Sequence, residues 1–509
     1  MIVIDSTKIN TYNDNRKINY GRKRIILDYN KVTPDNFLEV FQKALPIHQS
    51  NCKDCEYLIN MFLGEQDILH RPAPNTSNIN NQTVVNYAFP ITREIVGYTF
   101  GSPVELVQKN NDKQSSVQRL SDIFSYESAY TTDVCSAIYS SICGLGYQIT
   151  LPSSDITEDN TPEVPILIDY LDPRNTFIVQ STNVGNPQIM SCMMTSDSNG
   201  GNKKYIAFTN EYKFVIDYSK GEDTFTYEAN PVGLDPITII ENSLFLTGDW
   251  EQAISVMNAL NQITSDSLND IEGTIKSLLV LIGCELDDED NTTLTRIKEK
   301  RLLSIANGND QSGQLDAKFI APQLDSTSVQ NIREFLEDAR NVITGIPDRS
   351  ANSSGGDTGE AVLNRDGWTD IEIVAKLKEM FFKKAKKKQV AVAIKILQQL
   401  DVIPNDLGVI DLEVNIGRHT TDNLGTKTTA FSTLVATGEL ATIDCLEMSG
   451  LTTRVNEVVE RGKKAKEEKR AESLEFMKQE AALNAEGYKK EDINKDPSKK
   501  TQTKGNNEK

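Results

Sequence analysis

The feature that most constrains this chain is a change of hydrophobic period near Gly146. Before it, apolar residues recur at helical spacing. Phe37, Val40, Phe41, Leu45, Leu58, Ile59 and Phe62 mark residues 33–64, which Gly64 can close. Val85, Phe89, Ile91, Ile95 and Tyr98 mark 84–100, ending at Gly101, and a third helix is expected over 121–144. After Gly146 come short strand-like runs at 147–151, 176–179, 189–194, 205–208, 212–218 and 224–227. Turn residues such as Asn199-Gly200-Gly201 and Lys220-Gly221 separate them. The pattern predicts an antiparallel sheet inserted after helices, hence an α+β chain.

Beyond the sheet the period returns to helical. Trp250, Ile254, Met257, Leu260 and Leu268 form the apolar stripe of a long helix over 249–276. Residues 277–325 are mixed, with a strand at Leu278-Leu279-Val280-Leu281, an acidic turn at 287–290 and loops at Gly308 and Gly313. A helix is expected over 326–344, a polar Gly-rich loop over 346–359 and a long helix over 360–400. A strand at 412–416 and helices over 422–475 complete the body. Residues 1 to about 30 read as an irregular extended arm, and the last thirty or so as disordered. At 509 residues, two to four structural units are expected. No internal repeat is present.

Charge narrows the function. The net charge is −19, and residues 461–509 hold 14 Lys/Arg against 10 Asp/Glu, so the preceding body carries −23. A protein that grips DNA needs cations to displace phosphate counterions. This body excludes a classical DNA-binding module and still allows a surface past which DNA slides. A composition of 38% hydrophobic and 25% charged residues fits a soluble folded protein. The longest apolar stretch, 278–282, is far shorter than the roughly 20 residues of a membrane helix. The opening Met1-Ile2-Val3-Ile4-Asp5 has no basic region and no long apolar run, so no signal peptide is expected. Seven scattered cysteines argue against a disulfide framework and suit a reducing cytoplasm.

Candidate chemistry fails residue by residue. Cys52 and Cys55 form a lone C-x-x-C with no second pair, and His48 and His70 lie outside ligand spacing. Both cysteines are expected on an ordinary helix surface. His419 is the only other histidine, and no histidine accompanies a nucleophile motif. The run Ser353-Ser354-Gly355-Gly356-Asp357-Thr358-Gly359 opens a helix as a phosphate cradle would, but the P-loop lysine and preceding strand are missing. Asp287, Asp288, Glu289 and Asp290 lack EF-hand spacing and read as a solvated turn. The lysine-rich run 383–388 reads as a solvated helix face. No catalytic residue, metal ligand or cofactor is expected.

What the chain does carry is an ordered set of segment signatures. Asn60-Met61-Phe62-Leu63-Gly64 resembles a "YY.G" helix end, with Met61-Phe62 in place of the tyrosines. Asn86-Tyr87-Ala88-Phe89-Pro90-Ile91 through Gly97-Tyr98-Thr99-Phe100-Gly101-Ser102-Pro103-Val104 resembles "N.FA..I…GY.FG.PV". Asp172-Pro173-Arg174-Asn175-Thr176-Phe177-Ile178-Val179 resembles "DP..TFVV". Asn230-Pro231 to Ile237, then Asp249-Trp250-Glu251, resembles the strand leading into a stem helix that Ser265-Asp266 and Asn269-Asp270 continue; Gly345-Ile346-Pro347-Asp348 resembles the start of a tunnel loop. In order and spacing over about residues 55–470, these segments resemble the portal proteins of long-tailed phages of Gram-positive hosts.

That resemblance implies a phage portal fold assembled as a ring, a dodecamer in the family. It assigns an N-terminal arm and wing to 1–248, stem helices to 249–276 and 326–346, and a clip to 277–325. A tunnel loop falls at 347–358, a long wing helix and strand at 359–421, a helical crown at 422–472 and a disordered tail at 473–509. Ser350, Asn352, Ser353, Ser354, Gly355, Gly356, Asp357 and Thr358 would line the narrowest part of the channel, and Arg296, Lys298, Lys300 and Arg301 would dock partners. The implied partners are other copies of the chain, double-stranded DNA passing without sequence specificity, terminase, head–tail connector or adaptor proteins, and capsid and scaffold proteins, with no membrane. The implied location is the capsid vertex of the virion, after assembly in the host cytoplasm. Two rivals remain, a non-channel oligomeric structural or scaffold protein and a DNA-processing enzyme; the missing Walker A motif counts against the second.

Overall fold

The computed structural model describes residues 19–73, 79–109, 114–153, 165–196, 203–217, 224–275, 278–282, 302–305, 316–320, 326–347, 368–417, 424–438, 440–449, 451–452 and 455–492. It divides into two units, 1–420 and 421–509.

In the first unit, helix α1 (Phe37–Leu63) covers a six-stranded sheet. The sheet contains β1 (Ile25–Leu27), β5 (Thr176–Ser181), β6 (Gln188–Ser196), β7 (Lys203–Phe208), β8 (Tyr212–Asp217) and β9 (Phe225–Ala229), in the spatial order β1-β5-β6-β7-β8-β9. All its pairs are antiparallel except β1 with β5, so the expected antiparallel meander is present. The apolar spacing of α1 explains its docking. Phe37 stacks on Phe214 with centroids 4.1 Å apart, and Phe41 meets Tyr205 edge-on. β1 corrects the sequence reading of an irregular arm: Arg22 and Ile25 are buried, and residues 25–27 add a strand to the sheet edge.

A second sheet, ordered β10-β3-β4, joins β10 (Ile237–Glu241), β3 (Leu145–Pro152) and β4 (Ile166–Leu171). Residues 145–150 of β3 are buried on both faces: Leu145, Tyr147 and Ile149 pack on Ile178 and Phe208 of the six-stranded sheet, and helices cover the other face. Those helices are α4 (Ala129–Cys143) and α7 (Trp368–Gln399). The single helix expected over 121–144 is two, α3 (Gln114–Tyr126) and α4, broken where Ser128 adopts φ 54°. Gly144 and Gly248 close the gap between α4 and the turn after β10. A Cβ on Gly144 would lie 1.9 Å from the Leu246 carbonyl oxygen, and one on Gly248 would lie 2.3 Å from that of Ile142.

Helix α2 (Ala88–Thr99) starts four residues later than its periodicity suggests. Helix α5 (Ile254–Ile275) supplies the reason. Its side chains at every fourth position hold the extended segment ahead of α2: Val85 N–H donates to Asn261 Oδ1 (2.8 Å), Thr83 N–H to Ser265 Oγ (2.9 Å) and Asn81 N–H to Asn269 Oδ1 (2.7 Å). Those backbone donors are thereby satisfied without a helix. A 3-10 turn at Glu251–Ala253 precedes α5, and Trp250 beside it is fully buried, donating from Nε1 to Thr92 Oγ1 at 3.0 Å.

Three strands follow α5: β11 (Leu278–Ile282), β12 (Leu302–Ile305) and β13 (Asp316–Ile320). β11 is central, parallel to β12 and antiparallel to β13. Helix α6 (Ser326–Thr344) then packs alongside α5. Strand β14 (Leu412–Ile416) returns to pair with β2 (Val104–Gln108), register Val104↔Ile416.

The lysine run on α7 is not wholly a solvated face. Lys386 is buried and donates to both carboxylate oxygens of Asp133, at 2.7 and 2.8 Å. Gln148 adds a third bond to that carboxylate at 2.9 Å.

The second unit holds α8 (Leu424–Thr437), α9 (Thr442–Ser449) and α10 (Val455–Asp492), with α9 packed on both others. α10 overturns part of the disordered-tail expectation, since it continues through 473–492. Residues 463–486 contain no Gly or Pro, and opposite charges three or four apart, such as Lys464/Glu468 and Lys469/Glu472, sustain the helix.

Candidate functional site

The residues nominated for the channel (Ser350, Asn352 to Thr358) and for partner docking (Arg296, Lys298, Lys300, Arg301) lie outside the described residues. So do His419 and the acidic turn at 287–290. What the structure describes is the frame around them, namely the α5–α6 pair, the strands between these helices and the start of α7.

The frame is anchored at its base by buried ion pairs. Arg22 meets Glu251 at 2.6 Å with both side chains fully buried, and Glu251 also accepts from the Gly21 and Gly248 amides. Lys378 of α7 pairs with Asp249, which further accepts from Asn242 and Ser141. Burial pulls the Lys378 ammonium below its usual pKa, and Asp249 opposes that shift. A buried charge is tolerable only when paired and hydrogen-bonded in this way. The three residues 249–251 thus lock the entrance of α5 to the N-terminal segment, to α4 and to α7. Ile346 and Val374 pack on the same core as Trp250, Ile254 and Met257, so both sides of the nominated channel segment start from one fixed base.

The pair also leaves large apolar side chains exposed, near the base at Val342 and Ile343 and farther along it at the rest. Leu268 and Ile271 on α5, and Ile332, Phe335, Val342 and Ile343 on α6, are exposed; Phe335 is 69% and Val342 81% accessible. Apolar exposure on this scale marks an interaction surface. Beside it a groove of about 360 Å³ lies between α2 and α6, lined by Tyr87, Ile91, Glu94, Glu334, Asp338 and Arg340 among others. The Arg340 guanidinium sits 3.8 Å from the centroid of Tyr87, whose hydroxyl donates to Glu337 at 3.0 Å. Burial, then the Glu337 charge, raises the Tyr87 pKa, so the phenol stays neutral. The groove is an acidic, aromatic-floored recess with no nucleophile–base pair among its lining residues.

The cysteine–histidine candidates are consumed by packing. His48 packs against Phe177 with ring centroids 4.7 Å apart, and burial lowers its pKa to about 4. Cys52 donates to the Arg174 carbonyl at 3.1 Å, and burial pushes its thiol up to about 12. Neither can supply a thiolate or an imidazolium near neutral pH. Cys55, expected on the surface, lies in the core against Leu58 and Ile142. Among the described residues no group of three or more His, Cys, Asp or Glu could hold a metal ion, and no helix is long and apolar enough to cross a membrane.

Sequence reading missed the buried pairs because their partners are remote: Asp133 lies 253 positions from Lys386, and Arg22 lies 229 from Glu251. The only available signal was charge type at positions that a helical wheel places inside, such as Lys386 beside Ala385 and Gln389.

No curated protein matches the chain. A family model described as "Phage portal protein, SPP1 Gp6-like" matches residues 42–472. The match runs from α1 through both sheets, the α5–α6 pair and α7 into α10, and the family is structural and non-enzymatic. The chain belongs to the SPP1 Gp6-like family of phage portal proteins.

Proposed function

We propose that this protein is the ring subunit at the capsid portal vertex, forming the channel through which double-stranded DNA is packaged and ejected. The observation that carries the reading is the α5–α6 pair. It is fixed at its base by buried ion pairs and a buried tryptophan, yet leaves an apolar face uncovered along its length. Copies arranged in a ring would cover that face through heterologous contacts, each helix pair against the next. The strands β11–β13 at the other end of the pair then form the clip, which docks terminase during packaging and head–tail connector proteins afterwards. The segment 348–359 faces the lumen. The body charge of −23 keeps DNA from adhering to the walls, since few cations replace phosphate counterions. Capsid and scaffold proteins hold the outer rim, and the ring is a dodecamer as in the family.

Electron microscopy of the purified protein tests this. A ring with a central hole is expected. Compact oligomers without a hole would favour the rival, a non-channel scaffold protein of the virion. Deleting part of 287–315 should leave rings intact while abolishing packaging or tail joining; failure of rings to form would assign the segment to ring structure instead.

A further inference from the structure

The helix α10 has two differently charged edges. At about 3.6 residues per turn, Lys463, Lys466 and Arg470 fall on one edge, with Lys469 beside them. The exposed Leu474 and Met477 continue that edge. Glu468, Glu472 and Glu475 fall on the opposite edge. All of these side chains are exposed. Lys464 stands beside the acidic edge one turn before Glu468, and Glu467 beside the basic edge one turn after Lys463, so each has an opposite charge one turn away.

A polyanion-binding helix needs cations without competing carboxylates. Here carboxylates line the far edge, and the basic edge ends in two large apolar residues. Opposite charges on opposite edges suit a different partner. A closed head-to-tail ring requires each copy to present two unlike patches, one to each neighbour. We propose that α10 of one copy lies beside α10 of the next, basic edge against acidic edge, with Leu474 and Met477 covered at the junction. The contact extends beyond residue 472, where the family match ends. The inference rests on the ring reading given above and assigns part of the ring's inter-copy contact to α10.

The test uses the full chain. One variant reverses the basic edge (Lys466→Glu with Arg470→Glu), leaving both edges acidic. A second reverses the acidic edge (Glu468→Lys with Glu472→Lys), leaving both edges basic. Ring dissociation is followed against salt by analytical ultracentrifugation, with circular dichroism reporting helix content. Each variant alone should weaken association by on the order of tenfold per junction. An equimolar mixture should recover wild-type salt tolerance, because all-acidic copies can alternate with all-basic ones. Rescue by mixing cannot arise from helix stability within one chain. If either reversal melts α10, Lys466→Gln with Arg470→Gln should give a smaller shift of the same sign.

Unchanged salt tolerance in both variants, or loss without rescue on mixing, overturns the proposal. So does an effect confined to duplex DNA binding while rings persist, which would assign the basic edge to DNA. Wild-type protein that forms no ring at all overturns the ring reading, and this contact with it. Rings indifferent to the reversals overturn only the contact.

Discussion

The two halves of α5 differ in charge and in surroundings: residues 254–265 carry no charged side chain, and residues 266–275 carry Asp266, Asp270 and Glu272. Met257, Leu260, Asn261 and Ser265 in the first half are buried against Trp250, α1, α2 and the extended 79–87 segment. Leu268 and Ile271 in the second half are exposed, and the N-terminal part of α6 exposes Ile332 and Phe335, while Val342 is exposed near the base. A helix that served only its own subunit would turn polar where its partners end. This one gains Asp266, Asp270 and Glu272 there, the first bonded to Arg71 and the last to Asn81, yet keeps Leu268 and Ile271 exposed. On the ring reading proposed above, the first half is an anchor and the second contributes to an interface, joined by one continuous helix.

The largest effect is expected at the buried pair that fixes α7, the helix that carries Lys378 to Asp249, against α4. Asp133→Ala strands the buried Lys386 ammonium, which loses two of its bonds, and should cost about 3–5 kcal/mol in chemical denaturation. Replacing both partners together (Asp133→Leu with Lys386→Met) should recover most of the loss, because no uncompensated charge remains. A loss below about 1 kcal/mol for Asp133→Ala would mean that this pair does not hold α7 against α4.

Next comes the same chemical deletion in each half of α5. Met257→Ala removes a fully buried side chain and should lower subunit stability by about 2–4 kcal/mol. Leu268→Ala should change subunit stability by less than about 0.5 kcal/mol, since the side chain is exposed, while weakening ring assembly in sedimentation. If Leu268→Ala leaves rings untouched, the second half is not an interface.

Asp235 sharpens the anchor side from another direction, because its carboxyl has no cation bonded to it. It accepts from Ser191 and from the Ile237 amide, its other oxygen is buried without a partner, and burial raises its pKa to about 6. The folded pKa lies above the unfolded one, so the folded state favours the protonated form. The stabilising contribution is complete below the unfolded value of about 4 and is lost as pH rises through about 6. The stability of the wild type relative to Asp235→Asn should therefore fall between pH 4 and pH 6, measured as the difference in denaturation midpoints. A flat difference would show that this carboxyl titrates normally.

Period and turn chemistry made much of this fold legible. The α1 stripe, the β5–β9 strands and the boundaries of α6 follow from local pattern, and Gly64 closes α1 as expected. What failed was whatever depends on a distant partner. β1 is three residues long and becomes a strand only because β5 offers an edge. β2 finds β14 across some three hundred residues. The run 383–388 looks solvated locally, and only Asp133 makes Lys386 an interior residue. The candidate site divides the same way. The helix pair was visible as two apolar periodicities, but Phe335 and Val342 look like core positions in the pattern and are exposed in the structure. The channel and docking residues came from family resemblance, since local physics distinguishes a Gly-rich channel loop from any other loop only by what surrounds it.

The finest division between anchor and interface is written along α5 by its repeated hydrogen-bonding positions. Asn261, Ser265 and Asn269 each accept a backbone amide from the extended segment 81–85, at 2.7–2.9 Å, and so perform one task at three depths. Asn261 and Ser265 are fully buried, while Asn269 is half-exposed. Removing an acceptor leaves a donor unpaired, and the cost depends on whether water can replace it. Asn261→Ala strands the Val85 amide in the interior and also loses its bond to Gln66, so it should cost about 2–3 kcal/mol. Ser265→Ala should cost about 1–2 kcal/mol and Asn269→Ala about 0.5 kcal/mol, since solvent reaches the last site. Amide hydrogen exchange at Val85, Thr83 and Asn81 reads the same gradient without depending on global unfolding. Protection should decline in that order in the isolated subunit. Equal protection at all three would mean that the outer half of α5 is as firmly held as the inner, and that the boundary between anchor and interface lies beyond Asn269.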